Sequence, residues 1–118
     1  MNEKIDLVKD FHNKFKVPVL EKPSLIPEER FQLRYKLMRD EVEEYLKGVE
    51  NGDIKNIAKE LCDILYAGYG RILEHGLQDI IKDIFEEVNK SNMSKEYTEF
   101  KMKKGENYFE PNLDKFFK

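Results

Sequence analysis

Hydrophobic residues recur at helical intervals along the chain, and no stretch alternates in the way that predicts a β-strand. The spacing predicts a helix at Glu3–Phe15, a second from Pro27 to about Val49, a third from Ile54 to about Glu74 and a fourth from about Leu77 to Lys90. The remaining C-terminal residues mix Gly, Pro and aromatic side chains, which predicts a packed tail with a short turn of helix. The chain is therefore expected to form one all-α domain over residues 1–118, a bundle of four to five helices.

Residues that break or cap helices set the predicted boundaries. The segment KVPVLEKPSLIPEE, at residues 16–29, holds three prolines in ten positions and is predicted to be an extended connector. Asp53 is expected to cap the third helix at its N-terminus, and Gly76 is expected to end it. Ser and Asn in KSNMSKE compete with helical hydrogen bonds, so the fourth helix is predicted to stop there.

Two acidic residues of the second helix fall on its predicted apolar side. At about 100° per residue, Glu41 and Glu44 lie within an arc of hydrophobic positions, with Cβ atoms expected about 5–6 Å apart. The third helix repeats this pattern, because Glu60 and Asp63 are also three positions apart. Between Leu61 and Leu73 that helix is apolar nearly all round and is expected to be central.

Ionised carboxylates that face a protein interior must be paired, protonated or bound to metal, because an unpaired buried charge is very costly. Arg34 and Arg71 are too few to pair with four acids, whereas a hard divalent cation could bind all of them. Mg²⁺ prefers oxygen ligands, keeps several waters and is commonly shared with substrate phosphates. Taken singly, one acidic pair could be a solvated helix face and the other a buried ion pair. Together they favour a metal site.

The amino-acid composition limits the kinds of partner that the protein is expected to bind and the cellular compartment in which it is expected to occur. The formal net charge of −3 argues against general nucleic-acid binding but leaves small anionic ligands open. The single cysteine, Cys62, excludes an internal disulfide, fits a reducing compartment and is expected to be a small buried hydrophobe. No apolar run approaches the roughly 20 residues of a membrane span, and the N-terminus lacks a signal-peptide core, so a cytoplasmic protein without a membrane partner is expected. His12 and His75 are expected at the surface or at helix ends.

Four segments, in this order, resemble a known family. The DEVEE and ELCD motifs at residues 40–44 and 60–63 are similar to the EExxE…ExxD signature of the all-α nucleoside triphosphate pyrophosphatases. That superfamily includes MazG-like proteins, dimeric dUTPases and phosphoribosyl-ATP pyrophosphohydrolase. EEVNKSNMSK at 86–95 resembles the family's EVxxSNMSK segment, and KKGENYFEPNL at 103–113 resembles the closing KGxNYxxPxL. The resemblance covers about residues 6–113.

Carried over by position, the resemblance implies roles for the acids. Glu41, Glu44, Glu60 and Asp63 would bind Mg²⁺, for which Mn²⁺ could substitute. Glu41 is also the candidate catalytic residue that activates the water. Asp40 stands where the family usually has Glu, and it would assist a second ion or support the first from outside its ligand set.

The two later segments imply nucleotide contacts. Lys95 would neutralise phosphate, Asn92 would hydrogen-bond ribose or phosphate, and Lys104 would add positive charge. A local turn or helix cap is the alternative for Asn92. Tyr66 and Tyr69 could line a base pocket, although aromatics at that spacing commonly belong to a core.

The implied reaction is NTP or dNTP + H₂O → NMP + PPi, carried out in nucleotide-pool house-cleaning by a homodimer or tetramer. One alternative is phosphoribosyl-ATP hydrolysis in histidine biosynthesis, which the SNMSK and tail segments allow. The segment FKVPVLEKPSLIPEER looks more like the house-cleaning members. The other alternative is a non-catalytic helical module whose inward acids bind basic side chains of a partner.

Overall fold

The computed structural model describes residues 2–98 and 102–117, and it is helical throughout its regular parts. Its helices are α1 (Asn2–Lys14), α2 (Glu28–Glu50), α3 (Ile54–Glu74), α4 (Ile81–Met93) and a 3-10 helix at Asp114–Phe116. Strand-like pairing in the described residues is limited to one bridge between Glu96 and Lys103. The predicted all-α fold is therefore confirmed. Within the same residues, no helix combines the length and apolarity that a membrane span requires.

The chain falls into two compact units, Met1–Gln78 and Asp79–Lys118. The first unit holds α1, α2 and α3, and the second holds α4 and the tail. The single-domain organisation expected from the length stays a prediction.

Predicted boundaries agree with the structure except at α4. The Asp53 side chain accepts a hydrogen bond from the Asn56 amide at 3.2 Å, which is the expected cap of α3. In contrast, α4 begins at Ile81 rather than Leu77, and it ends at Met93, within the KSNMSKE segment where it is predicted to stop. Ser91 lies inside α4, and its hydroxyl donates to the Phe109 carbonyl at 2.7 Å. It therefore does not compete for the backbone of its own helix.

The connector between α1 and α2 is attached to the C-terminus of α3. The Leu20 amide donates to the Leu73 carbonyl at 3.0 Å, and the Ser24 amide donates to the His75 carbonyl at 2.9 Å. The Gln78 side chain donates to the Leu20 carbonyl at 2.7 Å. These bonds bring the start of α2 to the end of α3.

The core of the first unit is small. As expected, α3 is central in this unit, because it packs against both α1 and α2, but many hydrophobic side chains of α2 and α3 are not covered. Ile5, Val8 and Leu73 are the buried hydrophobic residues there. The apolar arc of α2 is instead exposed, at Phe31, Leu33, Tyr35, Leu37, Val42, Leu46 and Val49.

On α3, Leu61, Leu65 and Tyr66 are also exposed. Cys62 beside them is exposed as well, so the prediction of a buried cysteine is wrong. The sequence of α3 is apolar nearly all round, but α1 and α2, the two helices that pack against it, leave part of its surface uncovered.

Gly76→Ala is expected to destabilise the protein by about 2 kcal/mol or more, because two effects coincide. Gly76 has φ +69°, and a Cβ at this position would collide with the backbone carbonyl of Lys22 in the connector. Thermal unfolding followed by circular dichroism measures the effect. Gly68→Ala, inside α3 with nothing within 4 Å of the added Cβ, is the control and should stabilise by about 0.5–1 kcal/mol. Similar changes in both variants would contradict the close packing of the connector.

Candidate active site

Three carboxylates from α2 and α3 converge. Glu41 comes from the middle of α2, and Glu60 and Asp63 come from the second and third turns of α3. One oxygen of each lies within 4.8 Å of the other two. Glu60 is 6 % exposed, and Glu41 and Asp63 are partly buried. Among the described residues, this group, here called the acid cluster, is the set of side chains close enough together to hold a metal ion.

The other two predicted acids lie outside the acid cluster. Glu44 and Asp40 are both exposed. Three residues correspond to about 300° of helical rotation, so Glu44 points about 60° away from Glu41 around the axis of α2. The same rotation separates Glu60 from Asp63, so the spacing alone does not exclude Glu44; the packing of α2 does, because it leaves Glu44 exposed. The metal roles of Glu44 and Asp40 stay predictions.

The acid cluster carries more negative than positive charge. Burial raises the pKa of Glu41, and the nearby charges of Asp63 and Glu60 raise it further. The exposed Lys59 is the nearby cation: its Nζ lies 2.7 Å from Asp63 Oδ2 and 3.6 Å from Glu60 Oε1. One lysine cannot neutralise three carboxylates, so the cluster is suited to an added divalent cation.

A cavity of about 300 Å³ adjoins the acid cluster, and Glu41 and Asp63 line it. Leu37 and Tyr66 contribute apolar surface, while Arg34 of α2 and Arg71 of α3 contribute positive charge. Tyr66 lines this cavity, and its contact with a base stays a prediction. Tyr69 lines a separate apolar groove with Tyr66.

A second charged group, here called the arginine cluster, surrounds Glu74 at the end of α3. Glu74 is 1 % exposed. Its Oε1 lies 2.6 Å from Arg30 Nη2, and its Oε2 lies 3.1 Å from both Arg34 Nε and Arg71 Nη2. Burial by itself would raise the pKa of Glu74, but the hydrogen bond from Arg30 and the three positive charges outweigh it and lower the pKa.

The sequence interpretation did not predict the arginine cluster. Arg34 and Arg71 are the two cations found too few to pair with the four acids, and in the structure both contact Glu74. A signal was present, since Arg71 and Glu74 are spaced three apart and Arg30 and Arg34 four apart. What the spacing could not show is that the start of α2 meets the end of α3.

His12 lies in the last turn of α1, which agrees with the expected helix-end position, and its side chain is buried. It is 3 % exposed, its Nδ1 lies 3.1 Å from the Pro18 carbonyl oxygen, and its Nε2 faces Gly70. Burial lowers the pKa of the imidazole and the charge of Arg71 acts in the same direction, although the bond to Pro18 opposes them. The ring is therefore neutral at neutral pH. His75 lies at the end of α3, as expected, with Nδ1 2.8 Å from the Ser24 carbonyl oxygen.

The predicted nucleotide contacts belong to the second unit. Asn92 is exposed in the last turn of α4, and Lys95, whose amide bonds the Asn92 carbonyl, is partly buried. Lys104 is exposed, 3.3 Å from a carboxylate oxygen of Glu110 and above the ring of Tyr108. Their binding of a nucleotide stays a prediction.

The SNMSK segment contacts the closing segment, which sequence reasoning did not foresee. The Ser91 hydroxyl donates to the Phe109 carbonyl, and the Phe109 amide donates to the Ser94 hydroxyl at 3.1 Å. Glu87 accepts from the Asn112 amide at 3.1 Å. These bonds hold the SNMSK segment and the closing segment together within the second unit.

The chain was compared with protein families and with curated proteins. The model of a family described as phosphoribosyl-ATP pyrophosphohydrolase matches residues 8–92, which is more than half of the chain. The matched range contains the acid cluster and the arginine cluster. A search of curated proteins returned no match.

Proposed function

Because the chain belongs to the phosphoribosyl-ATP pyrophosphohydrolase family, within the MazG-like all-α superfamily, we propose that it is a metal-dependent nucleoside triphosphate pyrophosphohydrolase. Family membership indicates an enzyme that acts on a phosphoanhydride bond. The proposed reaction is NTP or dNTP + H₂O → NMP + PPi. The observation that supports it most directly is the convergence of three carboxylates beside a cavity.

The donor set fits Mg²⁺, with Mn²⁺ as a substitute. Glu41, Glu60 and Asp63 supply only oxygen ligands, their charge exceeds that of Lys59, and the cavity leaves room for water and substrate. We propose these three as the ligands. A bound cation would neutralise phosphate oxygens and lower the pKa of a coordinated water.

Glu41 is the proposed general base. It belongs to the acid cluster and also lines the cavity, so it lies beside the space in which the water and the substrate phosphate would meet. The water attacks the α-phosphorus, Glu41 takes its proton, and the electron pair of the breaking P–O bond leaves with pyrophosphate. Positioning and charge neutralisation account for most of catalysis in such a transfer.

Two substrate classes are candidates. House-cleaning of nucleoside triphosphates is the first. Phosphoribosyl-ATP hydrolysis is the second, and the description of the matching family favours it. A panel of nucleoside triphosphates together with phosphoribosyl-ATP, assayed with Mg²⁺, tests both if the released product is identified. Absence of pyrophosphate release from every compound would favour the non-catalytic helical module instead.

We further propose a homodimer or tetramer. The exposed hydrophobic residues of α2 and the exposed Leu61 and Leu65 of α3 support this proposal, because large exposed apolar surfaces commonly mark interfaces. Association would also remove the apolar arc of α2 from water without a change in the conformation of α2 or α3.

Mg²⁺ or Mn²⁺ is expected to raise the melting temperature by several degrees. A ligand at 100 times its Kd adds about 2.7 kcal/mol of stability, and the cation also relieves repulsion among the three carboxylates. Thermal scans with EDTA and with each metal measure the shift, and a non-hydrolysable nucleotide should enlarge it. In Glu60→Gln the shift should largely disappear. An unchanged melting temperature of the wild-type protein with both metals would contradict the proposed site.

A further inference from the structure

Opposite charges line opposite ends of the 300 Å³ cavity. Arg34 and Glu41 are seven residues apart on α2, and Asp63 and Arg71 are eight apart on α3. A rise of 1.5 Å per residue separates each pair by about 10–12 Å along its helix. Since Glu41 meets Asp63 while Arg34 and Arg71 both meet Glu74, the two acids share one end and the two arginines share the other.

The basic end has more positive charge than its own carboxylate can neutralise. Three arginines share Glu74, which leaves an excess of two charges. Arg34 and Arg71 have side chains only 16 % and 17 % exposed. Buried Arg71 Nε has no hydrogen-bond partner in the described part of the chain. A partly buried excess of positive charge is costly unless an anion pairs with it.

We propose that Arg34 and Arg71 form a phosphate subsite at the end of the cavity away from the acid cluster, with Glu74 as their positioning residue. The Glu74 carboxylate accepts hydrogen bonds from Nε of Arg34 and from an Nη of Arg71. Neither Glu74 nor Arg30 lines the cavity, so these bonds are made on the side of the arginines that faces away from it. The remaining guanidinium N–H groups are the donors that bind phosphate in a fork.

The subsite rests on the proposed function for the identity of its ligand. A nucleotide with its α-phosphate at the acid cluster would place its base along Leu37 and Tyr66, which lie between the two ends. A second phosphate, carried on a substituent beyond the base, would then reach Arg34 and Arg71. The terminal phosphate of the triphosphate chain is the other source of the same chemistry, and the test separates the two.

Titration of metal-free protein in EDTA, followed by calorimetry, tests the subsite without catalysis. Ribose 5-phosphate is the probe in one arm, and pyrophosphate is the probe in the other. Arg34→Gln and Arg71→Gln are expected to weaken binding of the preferred probe at least tenfold. Arg39→Gln is the matched control, because Arg39 lies on the same helix as Arg34 but is exposed, and it should bind like wild type.

Each outcome has a defined meaning. Preference for ribose 5-phosphate supports the subsite with a phosphate on a substituent, and preference for pyrophosphate supports it with the triphosphate chain. Equal binding by wild type and both glutamine variants, or no binding of either probe, overturns it. Arg34→Lys and Arg71→Lys keep the charge and should retain part of the affinity. They replace the glutamine variants in the titration if a glutamine variant loses its circular-dichroism signal. Protein that binds a probe but releases no pyrophosphate with Mg²⁺ would contradict the proposed function alone.

Discussion

Glu60→Gln is expected to lower kcat/KM for pyrophosphate release by about 100-fold or more while leaving the helical circular-dichroism signal intact. Glu60 is the most buried member of the acid cluster, and its oxygen lies within 4.8 Å of those of Glu41 and Asp63. The amide removes a charge that the proposed cation needs. It also removes repulsion within the cluster, so the metal-free variant should not be less stable than wild type. Asp63→Asn should behave in the same way.

Glu43→Gln is the control for this prediction. Glu43 lies on the same helix as Glu41, but it is exposed and lies outside the acid cluster. Its replacement changes the net charge as Glu60→Gln does, so a general charge effect would appear in both variants. The assay is release of pyrophosphate under saturating Mg²⁺. Comparable losses in Glu43→Gln and Glu60→Gln would show that the acid cluster is not the reacting centre.

Glu74→Gln is expected to destabilise the protein by about 3–5 kcal/mol, because it leaves three arginines without their counter-charge. Glu74 is 1 % exposed and contacts Arg30, Arg34 and Arg71 at 2.6–3.1 Å. A loss of that size lowers the melting temperature by about 10 °C or more in a domain of this length. Urea unfolding at constant pH measures the free-energy difference.

A surface ion pair provides the contrast. Glu110 lies 3.3 Å from Lys104 Nζ, and both side chains are more than 60 % exposed. Glu110→Gln should change the free energy of unfolding by less than about 1 kcal/mol, since solvent screens the pair. A similarly small effect of Glu74→Gln would mean that the arginine cluster does not stabilise the fold.

The free energy that Glu74 contributes to stability is expected to depend on pH in a definite direction. The pKa of Glu74 is lowered in the folded protein from its ordinary value of 4.5. The unfolded chain therefore binds its proton first as the pH falls, so the stabilisation is complete above about pH 4.5 and is lost through the lowered folded pKa. The difference in unfolding free energy between wild type and Glu74→Gln should be full at pH 7 and should shrink only under acid conditions. A difference that shrinks as the pH rises from 5 to 8 would contradict this assignment.

Features that depend on neighbouring residues were predictable from the sequence alone. The helix at Ile54–Glu74, its Asp53 cap and the proline-containing connector all follow from local hydrogen bonding and backbone preference. The three-residue spacing of Glu60 and Asp63 also placed both on one face of α3. The motifs identified the family, and the family model confirmed it.

Only the tertiary structure decided which faces are covered and which charges meet. Helical periodicity states which residues share a face, but burial depends on whether another element packs against that face. For this reason His12 is buried, Cys62 is exposed, and Glu44 lies outside the acid cluster. Glu74 meets Arg30 across 44 positions of sequence because the connector brings the start of α2 to the end of α3. A contact of that kind has no local signature, since its free energy arises from burial and charge pairing that exist only once the helices have packed.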